Sequence, residues 1–321
     1  MPLFILRRLL SFVVTLLATS AVVFAVLELL PGNAAQVILG ETATPESIAA
    51  MEDKLGLSQP AGTRYLGWML GLLQGRTGLS ISYDTPTAQL MAERMQVTFP
   101  LALMAMGLTV GLALVLGIYA ASRQNKLGDV GVMALSQVGL ALPNFWLAIL
   151  LILLFAVHLE WVSAGGFPGW SVEDGGGVWA AVQALLLPAV ALAAVQTAIL
   201  ARVTRSAVLD TLREDFVRTA RAKGLSHRQV LWGHVLRNAM IPVLTVMGLQ
   251  FGNLMTSAIV IENVFVLPGI GRLVFQAIAN RDLIVVRDVV MLLAALVIFI
   301  NFCIDVLYAW IDPRLKHGHA G

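Results

Sequence analysis

The chain has 321 residues, of which 58% are hydrophobic and 12% charged, with a formal net charge of +2 and a mean hydropathy of +0.84. A soluble globular domain carries about 25% charged residues, so this composition excludes that class and indicates an integral membrane protein. The small net charge gives no indication of nucleic-acid binding, and a single cysteine, Cys303, excludes an intrachain disulfide and a cysteine-rich metal site.

Six apolar runs are long enough to cross a bilayer, which takes about 20 helical residues. The first follows Arg7 and Arg8 and exceeds the roughly 7–15 apolar residues of a signal peptide, so it is predicted to be an uncleaved span. Pro143 and Pro188 are predicted to kink the helices that contain them. The six runs are residues 9–30, 97–121, 131–157, 179–201, 239–262 and 288–311.

The distribution of lysine and arginine predicts the orientation. Four connecting segments contain 14 Lys and Arg in 64 positions, and the remaining connections contain 7 of the 21. Because such residues accumulate on the cytoplasmic side, both termini are predicted to be cytoplasmic. The four segments are residues 1–8, 122–130, 202–238 and 312–321.

The longest segment on the opposite side, residues 31–96, shows helix signals. Thr44 suits an N-cap, Pro45 a first helical position and Gly56 the residue after the helix end. A second amphipathic piece is predicted at 86–96, and glycine-rich residues 158–178 are predicted to form a loop.

These assignments divide the chain into three regions. Residues 1–96 contain the first span and the external, partly helical segment. Residues 97–317 form a five-helix core that includes the loop at 202–238, and residues 318–321 are a tail.

The loop at 202–238 cannot be a span. It carries eight Lys and Arg residues together with Asp210, Glu214 and Asp215. At about 2.5 kcal/mol for each charge, burial of the whole set in the bilayer costs on the order of 25 kcal/mol. The loop is therefore predicted to lie in the cytoplasm or at its membrane surface.

Within this loop the pattern predicts two helices. Residues 203–223 are predicted to form the first, with apolar residues on one face at Leu209, Leu212, Phe216 and Ala220. Gly224 suits the left-handed position after its end, and Ser226 with Gln229 forms a capping box that begins the second. A basic loop that only sets topology needs no fold, so two capped helices favour a docking element for a partner.

The stretch Phe216–Leu244 resembles the cytoplasmic loop of permease subunits of binding-protein-dependent ABC importers. The segments RTARAKGLS and HVLRNAMIPVLT match the dipeptide, oligopeptide and nickel branch closely. Where the wider superfamily has Glu-Ala-Ala, then three residues and Gly, this chain has Arg218, Thr219, Ala220 and Gly224. The resemblance extends to LPNFWLAILLILLF, ENVFVLPGIGRLVFQAI and DVLYAWIDPRLK, so it covers nearly the whole chain.

This resemblance implies a fold and a set of partners. The fold is an all-α polytopic membrane protein with six transmembrane helices and a cytoplasmic coupling-helix loop, as in type I importer permeases. The partners are a homologous second permease subunit, two ATPase subunits, an extracytoplasmic solute-binding protein and the lipid bilayer of a bacterial inner membrane. By similarity, the residues that couple to the ATPase are Arg218, Thr219, Ala220, Arg221, Gly224 and Ser226.

The sequence of this chain also indicates that nucleotide binds to a different subunit. A P-loop ends in Lys followed by Ser or Thr, and none of the four lysines is followed by either. The chain is therefore predicted not to be an enzyme and to hold no cofactor or metal, with ATP and Mg on the ATPase subunits. The H-E-x-x-H and G-x-S-x-G signatures are also absent, which argues against an intramembrane hydrolase.

Polar residues inside predicted spans are candidates for the translocation path, because they are costly in lipid and tend to mark such paths. Interhelical hydrogen bonding is the alternative role for each of them. An ion-gradient-driven secondary transporter stays an alternative function, and a dipeptide, a longer peptide, glutathione and a nickel chelate all stay open as substrates. The candidates are Asn144, Gln250, Asn253, Glu262 and Asn301.

Overall fold

The computed structural model describes residues 2–29, 39, 43–54 and 56–311, and the secondary structure of this part is helical apart from one isolated β-bridge between Leu79 and Pro86. The predicted all-α fold is confirmed. The helices are α1 (Pro2–Leu29), α2 (Pro45–Lys54), α3 (Ala61–Leu73), α4 (Thr87–Ser122), α5 (Leu127–Ala141), α6 (Asn144–Leu151, continued as a π-helix over Ile152–His158), α7 (Val178–Thr211), α8 (Asp215–Ala222), α9 (His227–Val230, a π-helix over Leu231–Val235, then Leu236–Val264), α10 (Ile270–Ala279) and α11 (Leu283–Ile311).

Within the described part of the chain, five helices are long and apolar enough to cross a membrane, namely α1, α4, α7, α9 and α11. The sixth predicted span, 131–157, is a pair: α5 and α6 meet at an angle of 102°. Leu142 is extended at the break, with φ −90° and ψ 126°, because the ring of Pro143 disfavours a helical conformation in the residue before it. The six predicted spans are thus five continuous helices and one bent pair.

Two predicted helix boundaries differ from the structure. The amphipathic piece at 86–96 and the span at 97–121 form one helix of 36 residues, α4, with Pro100 inside it. The prediction of one helix over 203–223 is wrong, since α7 continues to Thr211 and α8 begins at Asp215. Tight i→i+3 hydrogen bonds from Arg213 to Asp210 and from Glu214 to Thr211 replace the α-helical pattern between them.

The capped helix predicted in the external segment is confirmed as α2. The Ser47 N–H donates to Thr44 Oγ1 at 3.3 Å, which is the expected N-cap contact. After the helix ends, Gly56 has φ +68°, a conformation that favours glycine.

One compact unit of the chain comprises Met1–Arg8, Phe99–Leu267 and Phe299–Gly321. Small residues bring its helices together. A Cβ added at Gly117 of α4 would lie 2.6 Å from Thr204 Cβ of α7, and one at Gly248 of α9 would lie 2.3 Å from Ile304 Cδ1 of α11. Glycine at both positions therefore permits a close approach of the helix backbones.

The other compact unit comprises Leu9–Thr98 and Pro268–Ile298. Two buried carboxylates, Asp282 just before α11 and Asp288 in its second turn, hold the segment that precedes α4. Asp288 accepts hydrogen bonds from Trp68 Nε1 at 2.9 Å and Thr87 Oγ1 at 2.5 Å, and Asp282 accepts from Ser80 Oγ at 2.6 Å. Because these partners lie about 200 residues apart in the chain, the contacts were not accessible to sequence analysis.

Candidate functional site

The loop at 202–238, which is predicted to be cytoplasmic, contains α8. This helix has two turns and is anchored to the protein on its inner face. Val217 is 1% exposed and Ala220 is also buried. Both belong to an apolar cluster built from the ends of the flanking helices, with Val208 of α7 and Val235 of α9 among its members. The predicted stripe through Phe216 is wrong, because the break before Asp215 resets the helix phase and leaves Phe216 exposed.

The outer face of α8 is basic and open. The Arg218 side chain is 81% exposed and lies 3.5 Å from the Asp215 carboxylate, an ion pair that water screens. Thr219, Arg221 and Lys223 are exposed as well. Arg218 and Arg221 therefore project from a short helix whose other face is fixed to the protein, and Lys223 is exposed directly after its end.

The turn from α8 into α9 is locked by hydrogen bonds. Gly224 has φ +85° and donates its N–H to Arg221 O at 2.9 Å, while the Leu225 N–H reaches Ala220 O at 3.4 Å. These two contacts form a Schellman motif, which confirms the predicted role of Gly224 at the helix end.

The predicted capping box follows directly. Ser226 N–H donates to Gln229 Oε1 at 2.9 Å, and Gln229 N–H donates back to Ser226 Oγ at 3.4 Å. The helix that starts here passes through the π-helical turn at Leu231–Val235 and continues beyond Pro242 to Val264. Pro242 lies inside α9 without ending it, so α9 connects the turn to the opposite end of its span.

A second polar contact lies on the α7 side of the loop and was not predicted. Asp129 of α5, which is 3% exposed, pairs with Arg205 of α7 through two hydrogen bonds of 2.5 and 2.6 Å. The Asn125 N–H adds a third bond to the same carboxylate at 2.9 Å. This bidentate geometry joins α5 to the last two turns of α7, just before α8.

The five candidate path residues are not equivalent in the structure. Gln250 is 2% exposed and donates Nε2 to the Gln196 carbonyl oxygen at 3.0 Å, so it ties α9 to α7. Glu262 is fully buried near the end of α9, and Asn253 is exposed. Asn144 and Asn301 are half-buried, at the start of α6 and within α11.

Gln250 also has an unused hydrogen-bonding group. Its Oε1 atom, like Gln196 Oε1 and Thr197 Oγ1, is buried and has no hydrogen-bond partner among the described residues. Gln250 Oε1 is thus an unpaired acceptor on a side chain that joins α9 to α7. The sequence identified Gln250 as a polar residue within a span, but its contact with Gln196 depends on the packing of two helices.

A cavity of about 860 Å³ lies in the unit that contains α3, and none of the five candidates lines it. Its walls include Phe24, Glu28, Arg64, Trp68 and Arg287. Arg64 forms an ion pair with Glu28, and the Arg287 guanidinium lies 4.7 Å from the Trp68 ring centroid. Glu28, Arg64 and Arg287 therefore already have partners within the protein.

Comparison with known proteins places this arrangement among transport proteins. Residues 113–317 match the family described as "Binding-protein-dependent transport system inner membrane component". Residues 1–102 match "Binding-prot-dependent transport system membrane comp, N-term". Together the two matches cover most of the chain.

Several relatives align over almost their full length. The dipeptide transport system permease protein DppB of Alkalihalophilus pseudofirmus is 38% identical, over 97% of this chain and 98% of its own. The di/tripeptide transport system permease protein DppB of Pseudomonas aeruginosa is 39% identical, over 98% of both chains. The glutathione transport system permease protein GsiC of Salmonella choleraesuis is 38% identical, over 98% of this chain and 99% of its own.

The fold has a counterpart among solved structures. An inward-facing structure of the MetNI methionine ABC transporter aligns with a TM-score of 0.55 and 18% identity, over 70% of this chain and 97% of that chain. At this identity the likeness concerns the fold alone.

Proposed function

Because the chain belongs to the binding-protein-dependent transport system inner membrane components, the permease subunits of ABC importers, we propose that it forms part of the translocation path for a peptide and is coupled to separate ATPase subunits through α8. It is a multi-pass membrane protein of the inner membrane. The division of the chain at residue 96, with a tail at 318–321, belongs to the same proposal. Family membership favours ATP-driven import over the ion-gradient alternative.

The geometry of α8 carries the coupling part of the proposal. A helix that is fixed to the ends of α7 and α9 by Val217 and Ala220 transmits a push applied to its outer face. The locked turn at Gly224 and Ser226 passes that displacement into α9 without a flexible linker. ATP-driven closure of the partners would then reorient the spans in an alternating-access cycle.

The six coupling residues divide into three roles under this proposal. Arg218, Thr219 and Arg221 are exposed and contact the ATPase subunit, where cations suit an acidic or carbonyl-lined groove. Ala220 is buried and positions the helix. Gly224 and Ser226 form the joint to α9. ATP and Mg would be bound by the partner subunits.

Peptides are the substrate class that the relatives' names support, since glutathione is itself a tripeptide. Amide side chains can both donate to and accept from peptide groups, which is the chemistry available at Asn144, Gln250, Asn253 and Asn301. Glu262 adds a carboxylate that could attract an ammonium group. The proposal assigns these five residues to the path that the chain forms with a homologous second permease subunit.

Co-purification tests the assembly. The tagged full-length chain would be recovered from its native membrane in mild detergent, and every co-purifying chain identified by mass spectrometry. We expect an ATPase, a second six-span permease and, with substrate, a solute-binding protein. Recovery of the chain alone, under conditions in which other ABC complexes survive, would contradict the proposal.

The orientation of the loop is a separate prediction. With Cys303 replaced by alanine, a cysteine at Lys223 is expected to react with a membrane-impermeant thiol reagent only from the cytoplasmic side. A cysteine at Glu173, an exposed position in the loop after α6, should react only from the other side. Intact spheroplasts and inverted vesicles provide the two faces, and the reverse pattern would overturn the predicted topology.

A further inference from the structure

Helix α3, which the sequence analysis did not predict, has an exposed face without charge. Leu66, Leu70 and Leu73 follow at intervals of four and three residues, so they share one face, and they are between 57% and 81% exposed. Arg64 is the one charged residue among the 13 of α3, and it is paired with Glu28. A helix face in water normally carries charged or amide side chains.

The inner face of α3 packs against the last third of α1. The Tyr65 hydroxyl is 2.8 Å from Ser20 Oγ, and the ring of Phe24 lies 5.5 Å from Tyr65 and 6.2 Å from Trp68 between centroids. Ser20 precedes the end of α1 at Leu29 by nine residues, which is about 13 Å along a helix axis. Tyr65 therefore reaches a point well inside the apolar span.

A second attachment joins α3 to the first turns of α11. Trp68 Nε1 donates at 2.9 Å to Asp288, which lies in the second turn of the α11 span. Since α1 and α11 are both spans, α3 is held at the level where one leaflet of the bilayer surrounds them.

We propose that α3 is embedded in that leaflet, with the stripe of Leu66, Leu70 and Leu73 in contact with lipid acyl chains. Within the most apolar stretch of α1, only 6% is buried inside the protein. The α1 surface beside α3 therefore faces the same acyl chains. The uncharged stripe continues this surface. The external segment is in this way anchored in the membrane at α3, between its polar helix α2 and the loop held by Asp282 and Asp288.

Site-specific fluorescence tests the proposal. A single cysteine replaces Leu70 in the full-length Cys303→Ala chain, is labelled with the environment-sensitive dye NBD, and is reconstituted in phosphatidylcholine vesicles with and without brominated acyl chains. We expect blue-shifted emission that the brominated lipid quenches. A cysteine at Glu46 of α2, in the same external segment, is the matched control and should show water-like emission without quenching.

Repeating the measurement with all partner subunits separates lipid from protein contacts. Quenching at Leu70 in the chain alone and in the complex supports the proposal. Water-like emission from the dye at Leu70 in the chain alone overturns the proposal. This holds if the dye is also exposed to water in the complex, and it holds if a second permease or a solute-binding protein covers the dye in the complex. Leu73→Cys gives the same readout if the Leu70 variant is poorly recovered. The outcome does not depend on which solute the complex carries.

Discussion

Replacing Gly224 by valine is expected to abolish solute uptake while the chain still inserts and assembles. The added Cβ would meet no atom within 4 Å, so the effect comes from the backbone: φ is +85°, a left-handed conformation that is strained for any β-branched residue. Relieving this strain, about 1–2 kcal/mol, reshapes the turn that aligns α8 with α9. Uptake and ATP hydrolysis measured together in proteoliposomes containing the whole complex would show hydrolysis without transport.

Two variants control for non-specific damage. Gly175→Val introduces a similar backbone strain, since φ is +91° with no atom within 4 Å, in the loop far from α8 in sequence. It should leave uptake intact. Gly224→Asn should retain most activity, because asparagine tolerates the left-handed region. Normal uptake in the Gly224→Val complex would contradict the proposed role of this turn in coupling.

Replacing Asp129 by alanine is expected to lower the free energy of unfolding by about 3 kcal/mol, the low end for breaking a buried ion pair. The substitution removes both hydrogen bonds to Arg205 and leaves the guanidinium partly buried without its carboxylate. It would also free the last turns of α7 from α5, next to α8. Thermal unfolding of the detergent-purified chain is the measurement.

Arg202→Leu is the matched control for this prediction. Arg202 lies three residues before Arg205 on α7 and donates one exposed hydrogen bond to Gln137, so its loss should change stability by no more than about 0.5 kcal/mol. An unchanged unfolding temperature in the Asp129→Ala chain would show that the pair contributes little to the fold. Partial recovery by the swap Asp129→Arg with Arg205→Asp would attribute the effect to the ion pair.

Local signals explain which details of the candidate site were predictable. The capping box of Ser226 with Gln229 and the helix end at Gly224 depend on residues within one turn of each other, and both were found where predicted. The burial of Val217 in place of Phe216 was not predicted, because the helix phase changes at a short break with no glycine or proline. Ala220 was predicted to lie on the apolar face of the helix, and its burial confirms that part of the pattern.

The sequence by itself determined that the chain is an all-α membrane protein, which runs are its spans, and where α8 ends and α9 begins. Apolar run length, charge and capping residues are properties of adjacent positions, and the bilayer imposes them directly. Only the tertiary structure decided that Gln250 is buried against α7, that Asp129 pairs with Arg205, and that α3 packs along α1. Each of these depends on contacts between helices distant in the chain, and no local pattern specifies which side chains such packing brings together.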